Sequence, residues 1–254
     1  MGYKCSMNRL AGLTRFLVPA PCYLCGTASV AVDGLCVRCA DDLSTENRAV
    51  PHRCPQCAIQ VSEAGQRCAA CLRHPPNFDF SVAGQDFKTA SRFLIHQFKY
   101  RKDSGVLDAL MRALVSYIER TYPQRQDDHS KDWPDALIPM PIHPDRRRVR
   151  GFNQARLIAD RIGQRFDLPV HGKAVIRSGS SKSQSGLSAI DRRKSLKNAF
   201  EVREHLPQHV AIVDDVMTTG SSADALAYAL KRAGVGRVTV WVLARTPAPG
   251  DIPS

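Results

Sequence analysis

Apolar and polar positions follow two different periods along the chain, and these predict alternating strands and helices. Residues 210–213 form a continuous apolar run typical of a buried strand, and residues 221–233 have the alanine and leucine spacing of an amphipathic helix. After two glycines, a second apolar run at residues 238–243 completes a strand–helix–strand unit. Such a unit joins two parallel strands, so we expect an α/β fold with a mainly parallel sheet.

Earlier segments predict further elements of the same domain. Residues 80–87 alternate as a strand or hairpin, and residues 89–100 and 106–122 have helical spacing. A short apolar strand near Ala136 runs into a proline-rich turn and then into a helix that ends near Phe166. The larger domain is therefore expected to span residues 79–245, after a proline-containing linker. The proline-rich tail, residues 246–254, is expected to be disordered.

Eight of the nine cysteines form four CxxC pairs, and ten residues separate the two pairs within each half. Four thiolates in such knuckles are typical of tetrahedral structural zinc sites. We therefore predict a double zinc-ribbon module with two Zn²⁺ ions over residues 21–72, after an N-terminal extension, residues 1–20. The spacing allows sequential or cross-braced pairing, and disulfides or redox motifs are less favoured alternatives. The predicted ligands are Cys22, Cys25, Cys36, Cys39, Cys54, Cys57, Cys68 and Cys71.

Composition and charge limit the classes of function. The chain has 254 residues, 43% of them hydrophobic, which is enough for a medium-sized domain beside a small module. Its formal charge of +12 favours anionic partners such as nucleotides, diphosphates, nucleic acids or acidic lipids. No apolar stretch reaches membrane-spanning length and no export signal is recognisable, so we expect no stable membrane insertion. Thiolate zinc sites favour a cytoplasmic location.

The polar segment after the strand at residues 210–213 carries the strongest functional signal, because ligands bind at strand ends in open α/β sheets. Asp214 and Asp215 suit ribose hydroxyls or bound Mg²⁺, although an acid pair alone is more often a helix cap or a solvated turn. Hydroxyl side chains, a glycine and helix N-terminal amides suit a phosphate. The order of strand, acid pair, loop and helix resembles the diphosphate-ribose signature of type I phosphoribosyltransferases. This resemblance implies that phosphoribosyl diphosphate, with Mg²⁺, contacts the acid pair and Thr218, Thr219, Gly220, Ser221 and Ser222.

Basic residues are concentrated in three further segments. Six arginines and two acids lie between residues 145 and 161, and the basic residues are expected to crowd the turn where the strand near Ala136 ends and the next helix starts; residues 92–102 and 177–197 are also basic. A solvated basic surface would explain this composition, and so would phosphate contacts with single-stranded DNA. The candidate DNA-binding residues are Arg146, Arg147, Arg148, Arg150, Lys182, Arg192 and Arg193.

These segments together resemble the ComF family, also called amidophosphoribosyltransferase-like proteins. The resemblance extends from Cys22 to Arg245. It implies a type I phosphoribosyltransferase fold after the zinc ribbons, phosphoribosyl diphosphate contacts by Pro141 and Arg150, and a mobile catalytic flap over residues 177–186 that includes Lys182. For ComFC members it implies the handling of incoming single-stranded DNA during natural transformation, and hence contact with DNA-uptake proteins. Besides the cysteines and the 210–222 signature, it is carried by Pro141, Arg150, Gly151, Phe152, Asn153, Gln154, Lys182, Ser183, Gln184, Arg193, Asn198 and Phe200.

Three functions are compatible with these features. The favoured one is a protein that binds phosphoribosyl diphosphate and single-stranded DNA during DNA uptake. The second is an active phosphoribosyltransferase of the nucleotide-salvage type, with catalytic residues Asp214, Asp215 and Lys182 supporting displacement of diphosphate through an oxocarbenium-like state. Its acceptor is not identifiable from the sequence. The third is a zinc scaffold with a vestigial site, and the intact acid pair argues against it.

Overall fold

The computed structural model of the protein describes residues 21–28, 33–48, 52–101, 104–122, 132–177 and 199–248. Expectations for residues 1–20, 178–198 and 249–254 lie outside the described residues. The elements are numbered here along the described chain. They are α1 (Val37–Arg48), α2 (Ala69–Arg73), β1 (Phe80–Asp86), α3 (Thr89–Arg101), α4 (Ser104–Thr121), β2 (Ala136–Pro139), α5 (Pro144–Arg150), α6 (Gln154–Phe166), β3 (Val175–Arg177), β4 (Phe200–Val202), β5 (His209–Met217), α7 (Ser221–Arg232) and β6 (Arg237–Arg245).

Four parallel strands form the central sheet in the order β1-β6-β5-β2. This confirms the prediction of a mainly parallel α/β fold of the type I phosphoribosyltransferase kind. The unit β5-α7-β6 is present as predicted, but both strands are longer than their apolar runs. β5 continues through the acid pair as far as Met217, because its ladder with β6 extends to the pair Met217↔Arg245. β3 and β4 form a separate antiparallel pair.

Helices cover one face of the sheet, and α7 with the β3–β4 pair covers the other. Successive residues of a strand point to opposite faces. Ala211 and Val213 of β5 accordingly pack with α3, α4 and α6, whereas Val210 and Ile212 pack with α7 and the β3–β4 pair. Within the described segments, no helix is both long and apolar enough to cross a bilayer.

The two cysteine-rich segments pack on different parts of this framework. The segment around Cys22 lies against the helices, where Gln97 of α3 donates to the Tyr23 carbonyl at 3.3 Å and Arg112 of α4 donates from Nε to Asp33 at 3.0 Å. The segment around Cys54 lies at the β1 edge. There Ser81 donates to the Gln56 carbonyl at 2.8 Å, and Arg53 forms a buried ion pair with Asp86 at 2.8 Å. Each segment is thus anchored by its own polar contacts.

Candidate functional site

The acid pair lies within the carboxyl-terminal end of β5. Asp214 is in register with Val242 of β6. The Asp215 amide donates to Asp214 Oδ1 at 2.8 Å, and the Val216 amide donates to Asp215 Oδ1 at 2.7 Å. The two acids belong to a strand, and Gly220 occupies the N-cap position of α7. The alternatives of a helix cap or a solvated turn are therefore wrong for this pair.

Lys99 of α3 contacts the acid pair directly. Its Nζ lies 3.2 Å from Asp215 Oδ2, and the two side chains are only 21% and 13% exposed. The contact follows from strand alternation, because Asp215 shares the face of Val213, which packs against α3. Lys99 was not predicted as a ligand-site residue, although it falls within the basic segment 92–102. Only the tertiary fold brings it to Asp215.

The carboxyl group of Asp214 is unusually hard to ionise. Burial and the neighbouring Asp215 carboxylate raise the pKa of Asp214 to about 8, against the opposing effects of the Asp215 amide, Lys99 and Arg177. A strongly raised carboxyl pKa beside a second acid is typical of catalytic and ligand-binding sites.

The hydroxyl-rich loop follows the acid pair and begins α7. Gly220 has φ +80°, a left-handed conformation that glycine adopts without strain. The Ser221 amide donates to Thr219 Oγ1 at 3.3 Å, and the two hydroxyl oxygens of these residues lie 2.8 Å apart. Thr218, Thr219 and Ser221 are exposed. The first amides of a helix have no intrahelical acceptor, so the loop and helix start offer donors for an anion.

The side chain of Arg245, at the end of β6, donates hydrogen bonds to the first residues of this loop. The residue is 6% exposed. Its Nη1 donates to the Met217 carbonyl at 3.0 Å and to the carbonyl of Thr218, while its Nε donates to the Cys57 carbonyl at 2.8 Å. Sequence reasoning missed this residue, because one arginine at the end of an apolar strand has no distinguishing spacing.

The proline-rich turn after β2, which contains the predicted ligand contact Pro141, lies next to the acid pair. The Met140 amide donates to the Val213 carbonyl at 2.8 Å, one residue before Asp214. Asn153 fixes this turn to α6: its Oδ1 accepts from the Ala155 amide at 3.0 Å, and its Nδ2 donates to the Met140 carbonyl at 3.1 Å. Pro141 is buried in the same turn.

The basic residues after this turn form a short helix, α5, where only a turn was expected. His143 accepts from the Asp145 amide at 3.2 Å to cap it, and Gly151 with φ +73° ends it. Arg147 and Arg148 are exposed, whereas Arg150 is partly buried and donates to Gln154 at 3.4 Å. Arg150 thus contacts the first residue of α6. The side chain of Arg146, as well as Lys182, Arg192 and Arg193, falls outside what the structure describes.

The paired cysteines form two compact groups of free thiols. Within each group the Sγ atoms all lie within 4.8 Å of one another, with Cys25 and Cys36 at 3.7 Å and Cys57 and Cys68 at 3.6 Å. Four sulfurs about 2.3 Å from Zn²⁺ would be about 3.8 Å apart, so both groups fit a tetrahedral ion. The grouping is sequential, not cross-braced. Each half of the 21–72 region could thus hold one zinc ion: Cys22, Cys25, Cys36 and Cys39 in the first, and Cys54, Cys57, Cys68 and Cys71 in the second.

Crowding divides the thiols into stronger and weaker acids. Hydrogen bonding to Cys57 lowers the pKa of Cys54 to about 4, and the Thr27 hydroxyl and amide lower the pKa of Cys25 to about 6. Burial, together with Cys68 and Cys54, raises the pKa of Cys71 to about 12 against the opposing hydrogen bond with Cys57. Four adjacent thiolates are therefore not stable without a cation, which is the electrostatic condition for metal binding.

The parallel sheet, the acid pair and the loop before α7 define a phosphoribosyltransferase-like α/β protein with two four-cysteine groups. No family model matches the chain. It is 34% identical to DNA utilization protein YhgH of Escherichia coli O157:H7 over 233 residues, covering 90% of this chain and 98% of that protein. It is 32% identical to competence protein F of Haemophilus influenzae over 224 residues, covering 87% and 94%.

A third relative, competence protein ComFC of Streptococcus pneumoniae, is 24% identical over 244 residues, covering 88% of this chain and 99% of that protein. The chain therefore belongs to the ComF family, and the resemblance found in the sequence is confirmed.

The two four-cysteine groups predict the metal content. Purified, reduced protein should contain two zinc ions per chain, and chelation should unfold the cysteine-rich segments because thiolate repulsion is no longer balanced. Elemental analysis and thiol titration measure both effects. Cys36→Ser and Cys57→Ser should each lose one ion, whereas Cys5→Ser, outside the CxxC pairs, should keep two. Zinc content near zero in the parent protein would contradict the assignment.

The raised pKa of Asp214 predicts that replacing its carboxyl group by a neutral amide stabilises the folded protein, and that this gain increases with pH. The folded pKa of about 8 lies above the unfolded value of about 3.9. Ionisation therefore destabilises the folded state progressively between about pH 4 and pH 8. Asp214→Asn should raise the Tm by a few degrees at pH 8, with a smaller gain at pH 5. Asp160→Asn is the control. Equal Tm values for parent and Asp214→Asn at pH 8 would contradict the prediction.

Proposed function

We propose that this protein binds phosphoribosyl diphosphate with Mg²⁺ at the end of β5 and handles single-stranded DNA during DNA uptake, in the cytoplasm. The observation that carries the first half is the juxtaposition of the acid pair with the hydroxyl-rich loop at one strand end. The DNA half is supported by the relatives, which are named for DNA utilization and competence.

Each part of the ligand finds matching chemistry in this arrangement. The loop from Thr218 to Ser222 would receive the 5-phosphate, and Asp214 and Asp215 would accept hydrogen bonds from the ribose hydroxyls. The diphosphate would lie toward the turn at Pro141. Mg²⁺ would neutralise part of its charge. The Lys99 ammonium has three donors, so it can hold Asp215 and a ligand oxygen together.

The DNA surface would combine exposed arginines with exposed aromatic rings. Arg147 and Arg148 on α5 supply positive charge, and Phe93 and Tyr100 on α3 are 48% and 74% exposed. Phe98 of α3 contacts Phe152, which follows α5 in the chain, with ring centroids 6.2 Å apart. Phe98 itself is buried and supports the core, so base stacking would fall to the exposed rings. This surface borders the candidate ligand site through Lys99. Contact with other DNA-uptake proteins forms part of the same proposal.

Phosphoribosyl transfer is a second candidate function, favoured by the raised pKa of Asp214. The diphosphate would leave C1 with the bonding electron pair, a nucleophile would bond to C1, and its proton would pass to the Asp214 carboxylate. Release of diphosphate in the presence of candidate acceptors, followed by ³¹P NMR, would distinguish catalysis from binding alone.

Ligand binding should depend on the acid pair. Above pH 8, where both carboxyl groups are ionised, Asp214→Asn combined with Asp215→Asn should weaken Mg²⁺-dependent binding of phosphoribosyl diphosphate roughly 100-fold or more, because two charge-assisted acceptors are lost. Gly220→Val should also weaken it, because φ +80° is strained for a β-branched residue. Calorimetric titration of folded proteins measures both, with Asp160→Asn as the matched control. Equal affinity in the parent protein and the double variant would contradict this prediction and favour the zinc scaffold with a vestigial site.

DNA binding should depend on salt through the arginines. Replacing Arg147, Arg148 and Arg150 by alanine should reduce the slope of log K against log salt by about 2, because about 0.7 counterions are released per phosphate of a single strand. The control replaces Arg120, Arg203 and Arg232, which are exposed residues outside α5, with the same loss of charge. Fluorescence anisotropy with labelled oligonucleotides provides the measurement.

The aromatic contribution is separable from the charge. Phe93→Ala with Tyr100→Ala should lower the affinity for single strands but leave the salt slope unchanged, since stacking releases no counterions. Binding insensitive to salt, or equally affected by the control arginines, would show that DNA binds elsewhere.

A further inference from the structure

The second cysteine group is connected to the hydroxyl-rich loop by buried hydrogen bonds. Arg245 lies between them: its Nε donates to the carbonyl of Cys57, and its Nη1 donates to the carbonyls of Met217 and Thr218. It also donates to the Thr246 carbonyl at 2.7 Å. One buried guanidinium thus joins a metal-ligand knuckle to the first residues of the loop.

A second connection reaches the far side of the loop. The chain that leaves Cys71 brings Asn77 to α7, where its amide and its Nδ2 donate to Asp224 Oδ1 at 2.6 and 2.8 Å. Phe78 follows, 2% exposed, and its ring lies 3.8 Å from where a Cβ on Gly220 would be. The second cysteine group is therefore linked to one end of the segment that would hold a phosphate through Arg245, and the chain that follows Cys71 contacts the other end.

The position of the Cys57 carbonyl depends on the shape of its knuckle. The Ala58 amide donates to the Cys54 carbonyl at 2.8 Å, and the Cys54 amide donates to the Ile59 carbonyl at 2.8 Å. A metal ion bound by four sulfurs fixes such a knuckle, because ligand geometry around zinc is tetrahedral. If the knuckle opens, a buried cation loses one of its acceptors, and the remaining contacts to the loop must adjust.

We propose that Arg245 is a positioning residue that couples zinc occupancy of the second cysteine group to anion binding in the loop. Zinc in this group fixes the position of Cys57. Cys57 and Arg245 in turn fix the position of the loop, and the loop presents its amides to the phosphate. Coupling is reciprocal by thermodynamic linkage, so a bound anion also retains the zinc. The identity of the anion as phosphoribosyl diphosphate or ribose 5-phosphate rests on the proposed function.

The first cysteine group is an internal control. It contacts α3 and α4 through Tyr23 and Asp33, away from Arg245. Arg237 is a matched control for substitutions, because it lies at the opposite end of the same strand, where it pairs with Asp132 at 2.9 Å. Ligand effects on zinc that pass through Arg245 should be confined to the second group.

The first arm needs no ligand. Hydrogen exchange of the amides at residues 217–222, followed by mass spectrometry, should rise about tenfold when zinc is removed from the full-length protein. Arg245→Met should raise exchange in the zinc-loaded protein, and zinc removal should then add little more. Arg237→Met should respond to zinc removal as the parent does. A parent loop whose exchange ignores zinc would overturn the proposal.

The second arm measures the reciprocal effect. The protein is pulse-alkylated in the presence of a zinc chelator and excess Mg²⁺, with or without ribose 5-phosphate or phosphoribosyl diphosphate. Ligand should slow alkylation of Cys54, Cys57, Cys68 and Cys71 about fivefold or more, and leave the first group unchanged. Arg245→Met should abolish the protection. Arg245→Lys should also abolish it, because a single ammonium cannot span the Cys57 carbonyl and the Met217 carbonyl as the guanidinium does.

The two arms separate the possible failures. If ligand binds but alkylation of the second group is unchanged, the coupling is wrong and the proposed function stands. If neither ligand binds, the proposed function fails, and the exchange experiment alone decides whether Arg245 transmits the state of the cysteine group to the loop.

Discussion

Parallel pairing between β5 and β6 is the constraint on which the site depends. The ladder extends from His209↔Arg237 to Met217↔Arg245, beyond the apolar core and into polar sequence. It therefore brings the acid pair and Arg245 to the same end of the sheet, where the strands have their carboxyl-terminal residues. The connecting helix α7 must begin at that end as well, because a strand–helix–strand unit returns the chain to the start of the next parallel strand. Acids, loop amides and supporting arginine meet as a consequence of one pairing.

The electrostatics of this end of the sheet favour a ligand over an empty site. Two adjacent carboxylates are partly buried, one with a raised pKa and the other neutralised by Lys99. At the same end of the sheet, the buried guanidinium of Arg245 donates to the carbonyl of Cys57 and to that of Met217. Such arrangements reduce stability when the site is empty, and a ligand that supplies hydroxyls and compensating cations relieves part of that cost.

The elements with local signals could be predicted from the sequence, and the contacts between distant elements could not. The spacing in α4 and the run of β5 indicated their structures, because periodicity reflects burial on one side. The CxxC spacing likewise indicated the cysteine groups. Lys99 and Arg245 had no such signal, since each acts on residues more than 25 positions away. The helix α5 was missed because its arginines suggested an exposed turn. The role of Lys182 stays a prediction.

A crystal structure of the full-length protein with phosphoribosyl diphosphate and Mg²⁺ tests the central claim most directly. The account predicts the 5-phosphate at the amides of residues 219–222 and the ribose hydroxyls at Asp214 and Asp215, with Lys99 Nζ within hydrogen-bond distance of the ligand. Ligand bound elsewhere in the crystal, with the acid pair and the loop in solvent, would contradict it.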